Sequence, residues 1–524
     1  MVIISLQKIL QKGPDFFHLD FNFLCIIAGQ QVYSSIEKRR KRPKIVLEKY
    51  LEKWKIQANF ALKKRLEKSY KMITRKLDAF LDVFYQNGSK ALLLTGARQV
   101  GKTVAFRRFA ERHYTHYIEI NFLKTPAALS IFHKVKSARE ILTRISAFTD
   151  VPMVPGKTFI LFDEIQDCPE CITQIKFLVD EGSFRYGLTG SLLGVELKDI
   201  RSEPVGYMDI SDVFPLDFEE FCSAIGVATR IVDHLRSAFE NRLPVDPVVH
   251  SQMMSVVNLY LVVGGMPSVV QKYIDTHNIQ HVGAEQRAIL NLYKRDISRY
   301  DLEEKLLLNE IFDLIPSELN AKNKRFILKS LNEGAKFKQH EDSFLWLKNA
   351  GVAIPVFNVE EPVFPLKLNK QRNLFKLFQN DVGLLAYQYA DGIQLRILSG
   401  EININHGAIY ENFVAQELHA HGYKDKLYYF NSKKQGEVDF VLESAEGTIL
   451  PTEVKSGKDY EFHLALNNIL GNEQYRIPKA ITFYNDNVST RGKVIYLPVY
   501  MTMFLKRKQE VAAGEFVPDI RALT

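Results

Sequence analysis

The segment Gly96 to Thr103 has the residue types and the spacing needed to bind the phosphates of a nucleoside triphosphate. It consists of Gly96, Ala97, Arg98, Gln99, Val100, Gly101, Lys102 and Thr103. Glycines let a backbone wrap closely around phosphates, and the amides of such a loop point at the phosphate oxygens. A lysine at this position reaches the β and γ oxygens, and the threonine hydroxyl binds Mg²⁺. The sequence therefore predicts a nucleotide site with Mg²⁺.

A second group of polar residues follows a buried apolar run. Thr158 to Phe162 is followed by Asp163 and Glu164. An acidic residue at the tip of a buried strand holds the metal in P-loop enzymes, and a second carboxylate can activate water as a general base. An acidic pair alone is equally typical of a turn, but the P-loop earlier in the chain favours the catalytic interpretation. We expect Asp163 to bind Mg²⁺ through water and Glu164 to polarise the attacking water.

A further strand ends in hydroxyl groups. Tyr186 to Leu188 is followed by Thr189, Gly190 and Ser191. Ser191 is predicted at the position of a γ-phosphate sensor, although a simple turn would have the same composition.

A third set of ionisable residues lies in the C-terminal half. Gly436 to Leu442 alternates apolar and polar residues as a half-buried strand does, and it contains Asp439. In the segment Ile449 to Lys455, Glu453 and Lys455 share one face of an extended chain. These two carboxylates and the ammonium group are expected to converge. Glu411 lies on a predicted helix from Ile409 to His419 and is a candidate third carboxylate.

Regular elements that would position these residues are visible in the apolar pattern. The predicted fold class is α/β, with a parallel sheet covered by helices on both faces. Its strands are expected near residues 91–95, 116–121, 159–163, 185–189 and 207–214. Later in the chain, a helix at 341–350 and extended segments at 352–356 and 363–368 outline a winged helix.

Five strings, taken in order, resemble one family. They are GARQVGKT, FILFDEIQ, YGLTGSLLG, FPLDFEEF (Phe214 to Phe221) and YLVVGGMP (Tyr260 to Pro267). Over residues 72–500 the chain resembles prokaryotic AAA-type ATPases with a C-terminal domain of unassigned function. The resemblance implies ATP and Mg²⁺ as cofactors, with Lys102, Thr103, Asp163, Glu164 and Ser191 in the site. It places no arginine finger, for which Arg201, Arg295 and Arg299 are candidates.

The C-terminal elements carry a second resemblance. The helix and two strands are similar to a winged helix, and the strands around Asp439 and Glu453 resemble the core of PD-(D/E)XK nucleases. That likeness implies that Asp439, Glu453 and Glu411 hold Mg²⁺ and that Lys455 orients water or stabilises the transition state. A degenerate, non-cleaving nuclease fold would give the same pattern. The candidate recognition helix carries Glu341 and Asp342, which disfavours direct DNA binding by that helix.

The chain is therefore divided provisionally into six segments. They are a basic N-terminal extension (1–71), an AAA-type ATPase core (72–230), a helical lid and linker (231–298), a winged-helix-like region (299–395), an α/β nuclease-like domain (396–505) and a tail (506–524).

Composition restricts the function classes. The chain has 524 residues, 46% of them hydrophobic and 25% charged, as in soluble globular proteins. Residues 1–71 contain sixteen Lys or Arg and six Asp or Glu, a charge of +10, whereas the other 453 residues contain 53 and 55, a charge of −2. The basic segment could contact phosphate backbones, but a solvated arm, or translated sequence preceding a natural start at Met72, is the preferred interpretation.

Two functions from different classes are consistent with these patterns. The first is an ATPase coupled to a nuclease-like domain, with DNA as the candidate substrate. The alternative is a nucleotide-gated interaction module whose C-terminal fold docks a protein partner or a second copy of the chain. No apolar stretch near the N-terminus approaches the roughly 18 residues of a membrane span, so a cytoplasmic location without membrane contact is expected. The four cysteines are expected to be reduced thiols.

Overall fold

The computed structural model describes residues 73–191, 206–297, 302–321, 324–327, 337–389, 392–400, 406–444, 446–457 and 463–507. The basic extension, Arg201, Arg299 and residues 508–524 of the predicted tail lie outside these residues. From Ile73 onward the chain forms one compact unit.

The first half of this unit is a parallel sheet with its helices. In chain order the elements are α1 (Lys76–Asn87), β1 (Ala91–Thr95), α2 (Lys102–His113), β2 (His116–Asn121), α3 (Ala138–Ala147), β3 (Thr158–Asp163), α4 (Pro169–Glu181), β4 (Arg185–Thr189) and β5 (Met208–Asp212). The strand order is β2-β3-β4-β1-β5, and every neighbouring pair is parallel. This confirms the predicted fold class and the predicted strands.

Burial on both faces of the sheet explains why the inner strands β1 and β3 are almost continuously apolar. Leu92 and Leu94 of β1 pack in one hydrophobic cluster and Leu93 packs in another, because successive side chains point to opposite faces. Phe106 of α2 packs so closely on β4 that a Cβ at Gly187 would lie 2.8 Å from its ring. Helix α2, which begins at Lys102, is thereby fixed against the sheet.

A helical region follows the parallel sheet. Its helices are α5 (Phe218–Ile225), α6 (Thr229–Asn241), α7 (Pro247–Val263), α8 (Pro267–Thr276), α9 (Ile279–Ile297) and α10 (Leu302–Asn320). In the described parts of the chain, no single helix combines the length and the apolar composition that crossing a membrane requires. Helices α7 and α8 meet those criteria only when taken together across a bend of 118°.

The C-terminal half is built on a mixed sheet. Its elements are α11 (Phe337–Asn349), β6 (Ala353–Val359), β7 (Lys370–Gln379), α12 (Val382–Tyr389), α13 (Ile393–Leu398), α14 (His406–Leu418), β8 (Tyr428–Ser432), β9 (Gly436–Glu443), β10 (Ile449–Val454), α15 (Leu464–Gly471), β11 (Ala480–Tyr484), β12 (Ser489–Arg491) and β13 (Val494–Pro498). The strand order is β12-β13-β11-β10-β9-β8-β6-β7. Strands β9 and β10 are antiparallel neighbours that coincide with the two segments predicted around Asp439 and Glu453.

Two features of this half differ from the sequence expectations. The prediction of an extended segment at 363–368 is wrong. The strand begins at Lys370, after a helical turn from Leu366 to Asn369. Pro362 and Pro365 have no amide hydrogen to donate to a strand ladder, which explains the later start. Strand β6 also pairs in parallel with β8, so one sheet crosses the expected boundary at residue 395. The division into domains stays a prediction.

Candidate nucleotide site and C-terminal charge cluster

The P-loop, residues Gly96 to Thr103, connects β1 to α2. Gly96 has φ of 124°, and a Cβ there would lie 2.3 Å from the carbonyl oxygen of Val213. Only glycine allows this close approach. The ammonium group of Lys102 donates to the carbonyl oxygens of Gly96 at 2.9 Å and Ala97 at 2.8 Å. These bonds fold the loop around its own lysine and direct that lysine across the loop.

Lys102 is a buried cation. Burial lowers the pKa of its ammonium group to about 8, while the charges of Glu164 and Asp163 oppose that shift. A buried ammonium with incomplete compensation favours an anionic ligand. This electrostatic state is suited to a nucleotide phosphate.

Asp163, the last residue of β3, is contacted by side chains from the ends of β2 and β4 and from the start of α2. Its Oδ1 accepts a hydrogen bond from the hydroxyl of Thr103 at 2.7 Å, and its Oδ2 accepts one from the amide of Asn121 at 2.6 Å. The hydroxyl of Thr189, at the end of β4, also donates to Asp163. The side chains of Thr103 and Asp163 thus lie together, as the sequence predicted.

These oxygens fit a magnesium ion. Mg²⁺ prefers oxygen ligands and is held in nucleotide enzymes by one or two carboxylates together with substrate phosphates and waters. Thr103 supplies a hydroxyl and Asp163 a carboxylate in direct contact with each other. Bound Mg²⁺ would supply charge neutralisation at the phosphates.

Glu164 has a left-handed backbone conformation, with φ of 57° and ψ of 53°. Such a conformation in a non-glycine residue costs roughly 1–3 kcal/mol and marks positions that the surrounding structure fixes. Its amide donates to the hydroxyl of Thr189 at 3.3 Å, and its Oε2 accepts from the amide of Gln166 at 2.7 Å. The carboxylate of Glu164 therefore has a defined position directly after Asp163.

The residue that contacts the acidic pair is Thr189, while the predicted sensor, Ser191, is buried two residues further on. The sequence placed hydroxyl groups after β4 but did not distinguish between them. Thr189 is the last residue of the strand next to β3, and position at a strand end is the signal that could have identified it. Asn121, at the end of β2, was missed for the same reason.

The outer side of the P-loop is bound by residues from α9 and from the C-terminal half. Arg98 Nε lies 2.9 Å from Asp296 Oδ2, and the hydroxyl of Tyr293 donates to the carbonyl oxygen of Arg98 at 3.5 Å. Asn380 Nδ2 donates to the hydroxyl of Tyr293 at 3.3 Å. A Cβ at Gly351 would lie 2.9 Å from the amide nitrogen of Ala97. The C-terminal half therefore contacts the P-loop directly and through Tyr293.

Arg75 holds the other end of the loop, and the sequence did not indicate it. Its guanidinium donates to the carbonyl oxygens of Val100 at 3.2 Å and Phe214 at 2.9 Å. It also binds Glu220 Oε1 at 3.0 Å. Arg75 thus connects the P-loop to the FPLDFEEF segment, which the family resemblance had singled out without a role.

The segment from Gln379, the last residue of β7, to Val382, the first residue of α12, connects several parts of the molecule. The amide of Gln379 donates to Asn412 Oδ1 at 2.8 Å, and the amide of Val382 donates to Gln416 Oε1 at 2.8 Å. Asp381 Oδ2 accepts from the amide of Gly265 at 2.6 Å, in the turn between α7 and α8. Asn380 contacts Tyr293 of α9. These four consecutive residues therefore contact the turn between α7 and α8, helix α9 and helix α14.

Asp381 gives a prediction about pH. Burial raises the pKa of its carboxyl group to about 6, although backbone hydrogen bonds from Gly265 and Leu384 oppose the shift. Between about pH 6 and 4 the folded state therefore holds a proton that the unfolded state releases. From pH 7.5 to 4, the free energy of unfolding should rise by roughly 2 kcal/mol in the wild type relative to Asp381→Asn. Urea denaturation of both proteins at the two pH values measures this change. If the stability of the wild type relative to Asp381→Asn is the same at both pH values, the pKa of Asp381 is not raised.

A cavity of about 280 Å³ lies where the two halves meet beside the P-loop. Its wall includes Gly96 and Ala97 on one side and Lys348 and Lys424 on the other. Both lysines are paired, Lys348 with Asp425 at 2.5 Å and Lys424 with Asp212 at 2.7 Å. The cavity confirms that C-terminal residues border the first residues of the loop.

The C-terminal residues predicted to converge do lie together. Glu453 Oε2 is 3.6 Å from Lys455 Nζ, and Asp439 Oδ2 accepts a hydrogen bond at 2.9 Å from the amide of Val454, the residue between them. Glu411, on α14, is paired with Lys324 and with Lys376, and Lys376 also lies beside Asp439. The sequence analysis did not indicate either lysine. We call the group the charge cluster; its members are Lys324, Lys376, Glu411, Glu437, Asp439, Glu453 and Lys455.

Comparison with known protein families supports the ATPase interpretation of the first part of the chain. Residues 88–222 match the AAA domain family, which supports the interpretation of this segment as an AAA-type ATPase domain with a P-loop. Residues 254–394 and 406–500 match two domains of unknown function, DUF8612 and DUF4143. No curated protein gives a significant match to the chain.

Several solved structures are similar in part. The Walker-type ATPase PABY2304 of Pyrococcus abyssi is 16% identical, with a TM-score of 0.37, over 61% of this chain and 96% of its own. The ORC1 protein of Aeropyrum pernix, solved in complex with DNA, is 14% identical over 60% and 87%, with a TM-score of 0.26. The RuvB branch migration motor of Thermotoga maritima is 15% identical over 54% and 89%, with a TM-score of 0.25. TM-scores this low indicate a partial likeness, which supports no conclusion about the function of this chain.

Proposed function

We propose that this chain hydrolyses ATP with Mg²⁺. The observation that carries the proposal is the convergence on Asp163 of Thr103 from the P-loop, Asn121 from β2 and Thr189 from β4. A P-loop alone binds a nucleotide, whereas an ordered carboxylate with a glutamate directly after it also supports hydrolysis.

Each residue has a separate task in this reaction. The backbone amides of the P-loop and the ammonium group of Lys102 bind the phosphates, and Thr103 and Asp163 hold Mg²⁺. Glu164 accepts a proton from the water whose oxygen attacks the γ-phosphorus. The bond between that phosphorus and the bridging oxygen breaks, which releases ADP and phosphate. Thr189 keeps Asp163 and Glu164 in place for this step.

We further propose that the nucleotide controls the conformation of the C-terminal half, which then docks a protein partner or a second copy of the chain. This alternative is supported by the contact of Gly351 with the P-loop and by the hydrogen bond of Asn380 to Tyr293. Through these contacts the two halves touch each other beside the candidate nucleotide site. A nuclease function on DNA is the competing possibility, and it depends on whether the charge cluster accepts a metal.

One set of measurements tests these proposals. ATP hydrolysis by the wild type is measured alone and with single- and double-stranded DNA, beside a cleavage assay in Mg²⁺ and Mn²⁺. Hydrolysis without cleavage supports a gated docking function. Absence of hydrolysis under all conditions refutes the ATPase, and metal-dependent cleavage refutes the docking alternative.

Contact between the halves should affect nucleotide binding. Tyr293→Phe removes the hydroxyl that bonds the carbonyl oxygen of Arg98 and accepts from Asn380. A hydrogen bond of this kind contributes about 0.5–1.5 kcal/mol, so KM for ATP should rise roughly 2- to 12-fold while kcat changes little. Tyr273→Phe, on α8, is the control and should leave KM unchanged. Steady-state kinetics decide, and equal KM values in both variants contradict a role for Tyr293 in positioning the loop.

A further inference from the structure

Lys376 lies inside the C-terminal sheet and is completely buried. It belongs to β7, and its side chain is 0% exposed. A lysine is almost never fully buried unless its charge is paired. The groups around Lys376 must therefore compensate the charge of its ammonium group.

Three carboxylates surround this ammonium group. Lys376 Nζ lies 2.8 Å from Glu437 Oε1, 3.4 Å from Glu411 Oε2 and 3.6 Å from Asp439 Oδ1. The ring of Tyr429 adds a cation–π contact at 5.2 Å. Acidic side chains from α14 and β9 thus converge on a single positive group supplied by β7.

The remaining oxygens of these carboxylates have other partners. Asp439 Oδ2 accepts a hydrogen bond from the amide of Val454 at 2.9 Å, and Glu411 Oε1 is paired with Lys324. Among the described residues, no group of three or more histidine, cysteine or acidic side chains is arranged to hold a metal ion. The donor set that a nuclease would use for Mg²⁺ is therefore committed to protein cations.

The cluster also contains several cations of its own. It has four carboxyl groups and three ammonium groups. Burial raises the pKa of Glu453 well above its usual range, and the neighbouring charge of Asp439 raises it further. Burial disfavours the charge of Lys376, but the charges of Glu411, Glu437 and Asp439 raise its pKa well above its usual value. A divalent cation would add two further positive charges to a buried site that already contains these three ammonium groups.

We propose that Lys376 is the resident cation of the charge cluster, that it takes the place of the divalent metal of a nuclease, and that the cluster is therefore a metal-free, structural polar core. The inference concerns the second part of the proposed function, the non-cleaving C-terminal half. It does not depend on ATP hydrolysis, which the kinetic measurements decide separately.

Metal binding tests the proposal in the intact chain. Mn²⁺ is titrated into the nucleotide-free wild type and into Asp439→Asn, followed by calorimetry and by the electron paramagnetic resonance of free Mn²⁺. Any metal held at the P-loop is common to both proteins, so their difference isolates the cluster. We expect the two isotherms to coincide. One Mn²⁺ per chain that binds to the wild type and is lost in Asp439→Asn overturns the proposal.

A second variant tests the charge of Lys376 itself. Lys376→Met keeps most of the side-chain volume and removes the charge, which leaves three buried carboxylates without their shared partner. The melting temperature should fall by roughly 5 °C or more, because breaking a buried pair is strongly destabilising. Arg372→Met, at an exposed position of the same strand, is the control and should melt as the wild type does. Equal melting temperatures of the two variants contradict the proposal, and if Lys376→Met does not fold, the Mn²⁺ titration of the wild type still decides.

Discussion

Replacing Lys102 by alanine is expected to abolish ATP hydrolysis and to weaken ATP binding by roughly 10²- to 10³-fold, since a charge-assisted contact in a buried site contributes about 3–4 kcal/mol. Two effects add in this variant. The phosphates lose their ammonium partner, and the loop loses the hydrogen bonds of Lys102 to the carbonyl oxygens of Gly96 and Ala97. Binding is measured with a fluorescent ATP analogue, and hydrolysis by phosphate release.

The chain contains a matched control for this substitution. Gly156, Lys157 and Thr158 repeat the last three residues of the P-loop in an unrelated position, and Lys157 is exposed. Lys157→Ala should bind and hydrolyse ATP as the wild type does. Hydrolysis by Lys102→Ala at the wild-type rate would exclude the P-loop as the site of the reaction.

Glu164→Gln should separate binding from chemistry. The amide keeps the size of the side chain and cannot accept a proton from water, so kcat should fall by about 10²- to 10⁴-fold, the usual contribution of a general base. ATP should still bind, because Lys102, Thr103 and the loop amides are unchanged. Single-turnover kinetics with radiolabelled ATP would show bound, uncleaved nucleotide.

The control for this second substitution is Glu170→Gln. Glu170 lies in the first turn of α4 and is exposed, a short distance along the chain from Glu164. It should retain wild-type turnover. If Glu164→Gln also turns over normally, another group activates the water, and the hydrolytic role assigned to the acidic pair is wrong.

The parallel sheet was predictable because its information is local. Strand β1 and strand β3 are buried on both faces, so their sequences are continuously apolar and end in the functional residues. The P-loop and the acidic pair follow such strands directly, and each is recognised from fewer than ten consecutive residues. Their meeting in space follows from the geometry of a parallel sheet, in which all carboxyl ends lie at one edge.

The residues missed by the sequence are those whose roles depend on distant partners. Lys376 is separated by 35 residues from Glu411, and Arg75 by 145 from Glu220. In the linear sequence each is one lysine or arginine among 69. Nothing in their immediate neighbours distinguishes them from surface residues, because burial and pairing arise only when the second sheet and α1 pack.

The pairing of β6 with β8 has a consequence for how the C-terminal half holds together. Val359 of β6 and Phe430 of β8 are partners in this ladder, although they come from the two segments that match different domain families. A chain cut between these segments would expose the backbone amides and carbonyls of β8 along an unprotected edge, and such edges promote aggregation by pairing with other chains. In this chain the two matched segments therefore form one continuous sheet, and separating them would leave an unpaired strand edge on each segment.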